Sequence, residues 1–319
     1  MNETATPDAK RRGGRRERRD LRTRPDHAML PTLAGQLPLT EPMDQEQIER
    51  IDAASLDILE EVGVVFRDDI ALEDWRKAGA DVRGERVHLD RGLVKSLIKT
   101  IPSEITLHAR NPEKTVALGG RQSIFIPMTG APYLRDLEDV RRSPTLDDLA
   151  TFHKLAHMLP AMHSSAHHIV EPMDHPISHR HLRITHSSML YSDKTFMGMT
   201  TSGQNAEDVL DMCAILFGEE YLETHAVVTG NCNGNSPLVW DETMLSAMRA
   251  FNRRNQPVLC SPFVLGGANT PASTVPTVAQ LNAEALSALA YTQVIRPGCP
   301  AIYGHYLSTV SMQSGAPMA

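Results

Sequence analysis

Six histidines fall within the twenty residues "MHSSAHHIVEPMDHPISHRH" (162–181): His163, His167, His168, His175, His179 and His181. Imidazole can ligate a metal, move a proton near neutral pH or line a polar pocket. A metal hydrolase built on a barrel would need two histidines alternating along one strand, with carboxylates from later strands. The spacing does not provide this. His167 and His168 are adjacent, so on a strand their rings face opposite sides. His179 and His181 would diverge by about 200° on a helix. Later strand ends carry Asn and Ser rather than Asp or Glu. The expectation is no metal site, with His168 lining a pocket and the other histidines structural or on the surface. A metal-dependent hydrolase stays open as an alternative.

Four further groups could do chemistry. Glu171 follows a predicted strand, where a carboxylate can hold a cation or move a proton; the rival role is a salt-bridged loop residue. "TGNCNGNSPLVWD" supplies Asn231 and Asn235, whose amides could orient a polar substrate, although Asn and Gly also build turns. Tyr133, Phe263, Tyr303 and Tyr306 sit near predicted strand ends in a chain with 5% aromatic residues. Aromatic faces attract quaternary ammonium ions by about 0.5–2 kcal/mol each; the rival role is packing, and Phe263 and Tyr303 are retained as site candidates. The final stretch, "SMQSGAPMA", reads like a binding-site lip, with Gln313 as its amide. Ser261 does not lie in a G-x-S-x-G elbow, which removes support for a hydrolase triad.

What must position these groups is a repeating unit. Strand-like segments start near residues 123, 162, 194, 225, 257 and 300, and helical segments follow the first five. The intervals of 31 to 43 residues are near the ~31 per unit of a (β/α)₈ barrel. Loops after the strands are small and polar ("TGAP", "TSGQN", "LGGANTP"), and the opposite connections are plainer. That asymmetry favours a barrel, with its site at the strands' carboxyl ends, over a doubly wound sheet. Six strands are countable, so the fold expected is an incomplete TIM-type (β/α)₈ barrel over 121–319, with two strands expected beyond Ala319. Residues 40–120 form a mainly helical cap. There Asp44 and Gln47 predict a capped helix with Ile48, Ile51, Leu59 and Val62 on one face.

Residues 1–39 read as a disordered Arg-rich tail. Residues 1–24 carry nine basic and four acidic side chains, net +5, which leaves −12 on the rest. No helix-turn-helix, zinc-finger or RNA-binding signature accompanies the arginines, so nucleic acid is not an expected partner. No apolar run suits a membrane span. Cys213, Cys232, Cys260 and Cys299 are too dispersed for a zinc ribbon or disulfide scaffold and fit buried thiols in a reducing cytoplasm. A homo-oligomer is compatible with all of this.

Taken together, "ILEEVGVVFRDD", "WRKAGADVRGERVHLDRGLV", "HARNPEKTVALGG", "RDLEDVRR", "NSPLVWDETML", "PVLCSPFVLGGA" and "SMQSGAP" resemble the trimethylamine methyltransferase family, the MttB-type corrinoid-dependent methyltransferases. The resemblance runs from about residue 45 to the end. It implies a (β/α)₈ barrel that moves a methyl group from a methylated or quaternary amine to the Co(I) corrinoid of a separate partner protein, with no cofactor held tightly by the barrel itself. The family's pyrrolysine position would fall about one helix past Ala319, and relatives without it act on quaternary amines such as glycine betaine. No family catalytic residue maps onto a position here. A non-catalytic partial barrel that only binds a ligand or partner is the main alternative.

Overall fold

The computed structural model describes residues 28–38 and 40–318. Most of the expected tail therefore lies outside the described residues. Its last part does not: the Leu30 N–H donates to Pro160 O at 2.9 Å, and Leu33–Ala34 pairs with Gln122–Ser123. Residues 28–38 thus lie against the body, and the tail expectation to residue 39 fails there.

The N-terminal cap has helices α1 (Gln45–Asp57), α2 (Asp69–Lys77) and α3 (Arg91–Ile98), and strands β1 (Val64–Arg67), β2 (Asp81–Arg83) and β3 (Arg86–His88). The Asp44 carboxylate accepts from Gln47 N–H at 2.8 Å and the Gln47 side chain accepts from Asp44 N–H at 3.1 Å, closing the expected capping box. The expected buried face is only partly right. Leu59 is buried, but Ile48 and Val62 are 44% and 48% exposed. A single π turn over Ile58–Val62 widens the helix end and takes Val62 off the buried stripe. Strands β1–β3 lie among these helices. They join β8 (Val239–Asp241), from much later in the chain, in a four-stranded sheet of order β8-β1-β3-β2.

Next comes an antiparallel hairpin of β4 (Glu104–Leu107) and β5 (Val116–Gly119). Ile105, Leu107 and Val116 form a small apolar cluster with Ala226, against which Met29, Leu118, Ile124 and Ile302 pack.

Beyond residue 121 the segments follow the expected order. Strands β6 (Phe196–Met197), β7 (Val228–Cys232), β9 (Val258–Cys260) and β11 (Ala301–Tyr303) form one parallel sheet in which each strand pairs with the next in sequence. This run of sequential parallel neighbours, termed the arc below, lacks the reversal of order at a switch point that a doubly wound sheet has. Single parallel bridges, Ser164↔Thr195 and Ala131↔Val170, extend the arc through the two earlier segments. The expected strand "SIFIPM" is not one: only Gln122–Ser123 is paired as a strand, and antiparallel. The arc does not close among the described residues, and its sheets are small.

Helices α4 (Leu146–Met158), α5 (Ile177–Tyr191), α6 (Gly203–Phe217), α7 (Glu219–Thr224), α8 (Glu242–Arg253) and α9 (Thr274–Ile295) lie between the strands in sequence. Thr145 and Asp148 form the acidic capping box of α4. Two glycines set the helix–sheet contact. A Cβ on Gly198 would lie 2.8 Å from Phe251 Cζ, and one on Gly230 3.2 Å from Phe251 Cγ. The fully buried Phe251 ring of α8 therefore rests on bare backbone of two neighbouring segments.

Two more strands, β10 (Phe263–Gly266) and β12 (Tyr306–Val310), prolong β9 and β11 and pair in parallel with each other. Strand β12 then turns back to Pro317–Met318. The sequence "SMQSGAP" is thus mostly the bend of a hairpin, closed by Gly315 N–H to Ser311 O at 2.7 Å.

Candidate functional site

The strand register decides which side chains face the inside of the arc. Val228 and Cys232 belong to the core shared with the helices, and Gly230 faces Phe251. Alternation turns Thr229 and Asn231 the other way. Asn231 aligns with Leu259, and Leu259 with Ile302, so these three share the inner face. At the amino end this interior is stopped by the Ile105, Leu107, Val116 and Ala226 cluster, which includes Ile302 at its margin.

The interior carries polar atoms without partners. Thr229 is 5% exposed and its Oγ1 has no hydrogen bond; buried Asn231 Oδ1 also has none, and neither do His167 Nδ1 and His168 Nδ1. A buried hydroxyl or amide with no partner costs about 1–3 kcal/mol, and Thr229 and Asn231, two residues apart on one strand face, together offer two such oxygens to a polar group. The Asn231 backbone is fixed by Thr200, whose hydroxyl donates to Asn231 O at 2.5 Å. Sequence reading missed Thr229, although its i−2 relation to Asn231 on a strand would have placed it on the same face.

The histidines distribute over different tasks. The His167 and His168 rings lie 4.0 Å apart, edge to face, rather than on opposite sides. The segment is not a regular strand, because Ala166 takes φ +53°. Burial lowers the pKa of both, more strongly for His167. His153 of α4 is fully buried: its Nε2 lies 2.6 Å from His167 O and its Nδ1 2.9 Å from Ser187 Oγ. Since a carbonyl only accepts, Nε2 carries the proton and Nδ1 accepts from the Ser187 hydroxyl. His181 pairs with Asp208 of α6 at 2.7 Å, and His179 bonds Ser178. Among the described residues, no three His, Cys, Asp or Glu side chains gather where they could hold a metal ion.

The other candidates separate. Glu171 Oε1 accepts from Arg180 Nη1 at 2.8 Å, and both side chains are largely buried. Its backbone N–H continues the parallel pairing to Ala131 O. Asn235 is exposed, and its amide donates to Asp241, the N-cap residue of α8, so it serves the turn. Phe263 stacks on Tyr306 with centroids 4.8 Å apart and planes at 12°. Tyr133 already has Arg141 over its ring at 4.0 Å. Tyr303 aligns with Cys260 and Cys232 on the helix-facing side and donates its hydroxyl to Asn282 Oδ1 of α9. Gln313 is exposed at the hairpin bend. Phe263, Tyr133 and Tyr303 thus have partners of their own, which leaves Asn231, His168 and Glu171 as the candidates.

Glu284 was also missed. It is 1% exposed in the middle of α9 and accepts from the Ser236 hydroxyl at 2.5 Å, Leu238 N–H at 2.9 Å and Gln280 Nε2 at 2.9 Å. Burial raises its pKa against these hydrogen bonds. It pins the Asn-rich loop that leaves β7. Its being the single charged residue of α9 was the available signal. All four cysteines are free and buried; burial pushes the Cys299 thiol up to about 11 and the other three higher still.

The profile of the trimethylamine methyltransferase (MTTB) family matches residues 11–319. The chain belongs to this family. The match begins earlier than the resemblance from residue 45. A glycine betaine methyltransferase of Desulfitobacterium hafniense is 40% identical over 281 residues, covering 88% of this chain and 59% of that protein. A proline betaine:corrinoid methyltransferase of Eubacterium limosum is 28% identical over 290 residues, covering 85% and 59%. Trimethylamine methyltransferase MttB of D. hafniense is 24% identical over 277 residues, covering 84% and 55%. The chain thus spans well under two thirds of the length of these relatives. Among solved structures, the monomethylamine methyltransferase MtmB of Methanosarcina barkeri superposes with a TM-score of 0.57 at 13% identity, over 85% of this chain and 55% of that one. At that identity the likeness concerns the fold, a mixed α/β architecture. No helix of the described residues is long and apolar enough to cross a membrane.

Proposed function

We propose that this chain is the substrate-binding part of a methyltransferase that takes a methyl group from a quaternary amine, glycine betaine before trimethylamine, and passes it to the Co(I) corrinoid of a separate protein. The observation that carries the reading is the 40% identity to a glycine betaine methyltransferase along 88% of the chain. In this reading the arc is six units of a (β/α)₈ barrel, with the substrate near the carboxyl ends of its strands.

The reduced corrinoid supplies the electron pair for the new bond to the methyl carbon, and the pair of the broken N–CH₃ bond stays on the nitrogen. No proton moves, so the barrel needs no general acid or base. Its work is to bind, orient and exclude water. A quaternary ammonium has no N–H to donate and spreads its charge over its methyl groups. Oxygen acceptors such as Thr229 Oγ1 and Asn231 Oδ1 suit it, and the neutral His168 ring adds no opposing charge. The apolar cluster beneath them keeps water out from the amino end.

The test is calorimetric titration of the chain with glycine betaine and with trimethylamine, followed by methylation of free cob(I)alamin read from its absorbance. Glycine betaine binding with methyl transfer is expected. Failure of the chain to bind either amine would overturn the reading.

A further inference from the structure

Resting on that reading, we infer that Glu171 and Arg180 form a zwitterion-reading pair, which selects amines that also carry a carboxylate over simple cations. Glu171 holds the ammonium end and Arg180 the carboxylate end.

The pair is well placed for this. Val170 is buried in the core, and Glu171 follows it at the end of the segment, where its N–H still pairs with Ala131 O. Arg180 stands in the first turn of α5, the helix that follows this segment, and so reaches the same end of the arc. Its neighbour His181 is bound to Asp208, which holds that turn of α5 against α6. The guanidinium is oriented by its own loop: Nε and Nη2 donate to His175 O at 3.2 and 2.9 Å, and Nη1 donates to Glu171. Guanidinium has five N–H groups, so two are left over, one on each Nη. A carboxylate can accept from both. His168 lies close enough to feel the Glu171 charge.

Charge arithmetic gives the selectivity. A lone cation near Glu171 also meets Arg180, and the attraction and repulsion largely cancel. A lone anion near Arg180 meets Glu171 with the same result. A betaine, with its two charges one methylene apart, can lie antiparallel to the ion pair and gain from both ends. The Asn235 amide, expected to orient a polar substrate, is occupied by Asp241.

The experiment measures binding of three ligands to the full chain: glycine betaine, choline as a cation without a carboxylate, and 3,3-dimethylbutanoate, in which carbon replaces the charged nitrogen. Wild type should bind glycine betaine most tightly. Glu171→Gln should weaken glycine betaine and choline by about tenfold or more and leave 3,3-dimethylbutanoate unweakened. Arg180→Gln should weaken glycine betaine and 3,3-dimethylbutanoate and spare choline. The double variant, which leaves no unpaired charge, keeps the test alive if either single variant folds poorly; it should bind the three ligands with nearly equal affinity. Equal losses for all three ligands in both single variants, or a double variant that still prefers glycine betaine, would overturn the inference and leave the proposed function standing. A wild-type chain that binds none of the three would overturn both.

Discussion

The two faces of the same strands are finished differently. On the helix-facing side the buried charges are paired. Arg249 of α8 donates to both oxygens of Asp68, at 2.9 and 2.6 Å, and to the Tyr291 hydroxyl, which donates in turn to Asp74. The buried Lys194 ammonium donates to three carbonyls, of Ala156, Leu159 and Met162, near the end of α4. On the inner side Thr229, Asn231 and His168 keep atoms with no partner. A folded chain tolerates few such atoms. Thr229 and Asn231 stand two residues apart on one strand face, and the contrast to test is between these two and the paired charges.

Breaking the paired side should give the largest effect. Arg249→Met leaves the Asp68 carboxylate buried without its countercharge, and stability should fall by about 3–5 kcal/mol. Asp68→Leu combined with Arg249→Met should recover much of this, less the N-cap that Asp68 gives Ala71 N–H. Urea unfolding of the two variants checks it. A double variant as unstable as the single one would mean that the ion pair itself, and not the stranded charge, sustains the joint between α8 and the N-terminal cap.

The second effect is a pH dependence. Burial holds His153 at about 4, against 6.5 in the unfolded chain. Between those values the unfolded state binds the extra proton, so stability falls as pH drops from 6.5 toward 4 and is flat above. The full loss is roughly 3 kcal/mol. Unfolding curves across that range should show the slope, and His153→Gln should flatten it. If the slope survives the substitution, another group titrates in its place.

Much of the frame was legible in the residues because its signals are local. The capping box at Asp44 and the spacing of strand-like segments depend on neighbours in sequence, and the structure carries the box and four of the six segments as one parallel sheet. "SIFIPM" failed because alternating apolar residues show what could pair, not whether a partner strand lies alongside. The candidate site was less legible, since its features are relations between distant residues. Asn235 and Tyr303 had the right types near the right strand ends, but Asp241 and Asn282 take their polar groups. Arg180 and Thr229 carried no motif. Arg180 matters because a helix turn brings it to Glu171, and Thr229 because Gly230, next to it, is committed to Phe251.

The smallest effect tests the contrast most directly. Thr229→Val keeps the shape of the side chain and removes a hydroxyl that has no partner. On the paired side of the strands such a change costs stability, because it strands the other half of a hydrogen bond. Here nothing is stranded, so the chain should become more stable by up to about 1 kcal/mol, while its affinity for glycine betaine falls. Thermal melts and calorimetric titration of the same preparation read both quantities. Stability and affinity moving in opposite directions would mark Thr229 as a residue kept for a ligand at the fold's expense. A loss of stability would mean that the hydroxyl serves the fold, and Thr229 would then belong with the paired side.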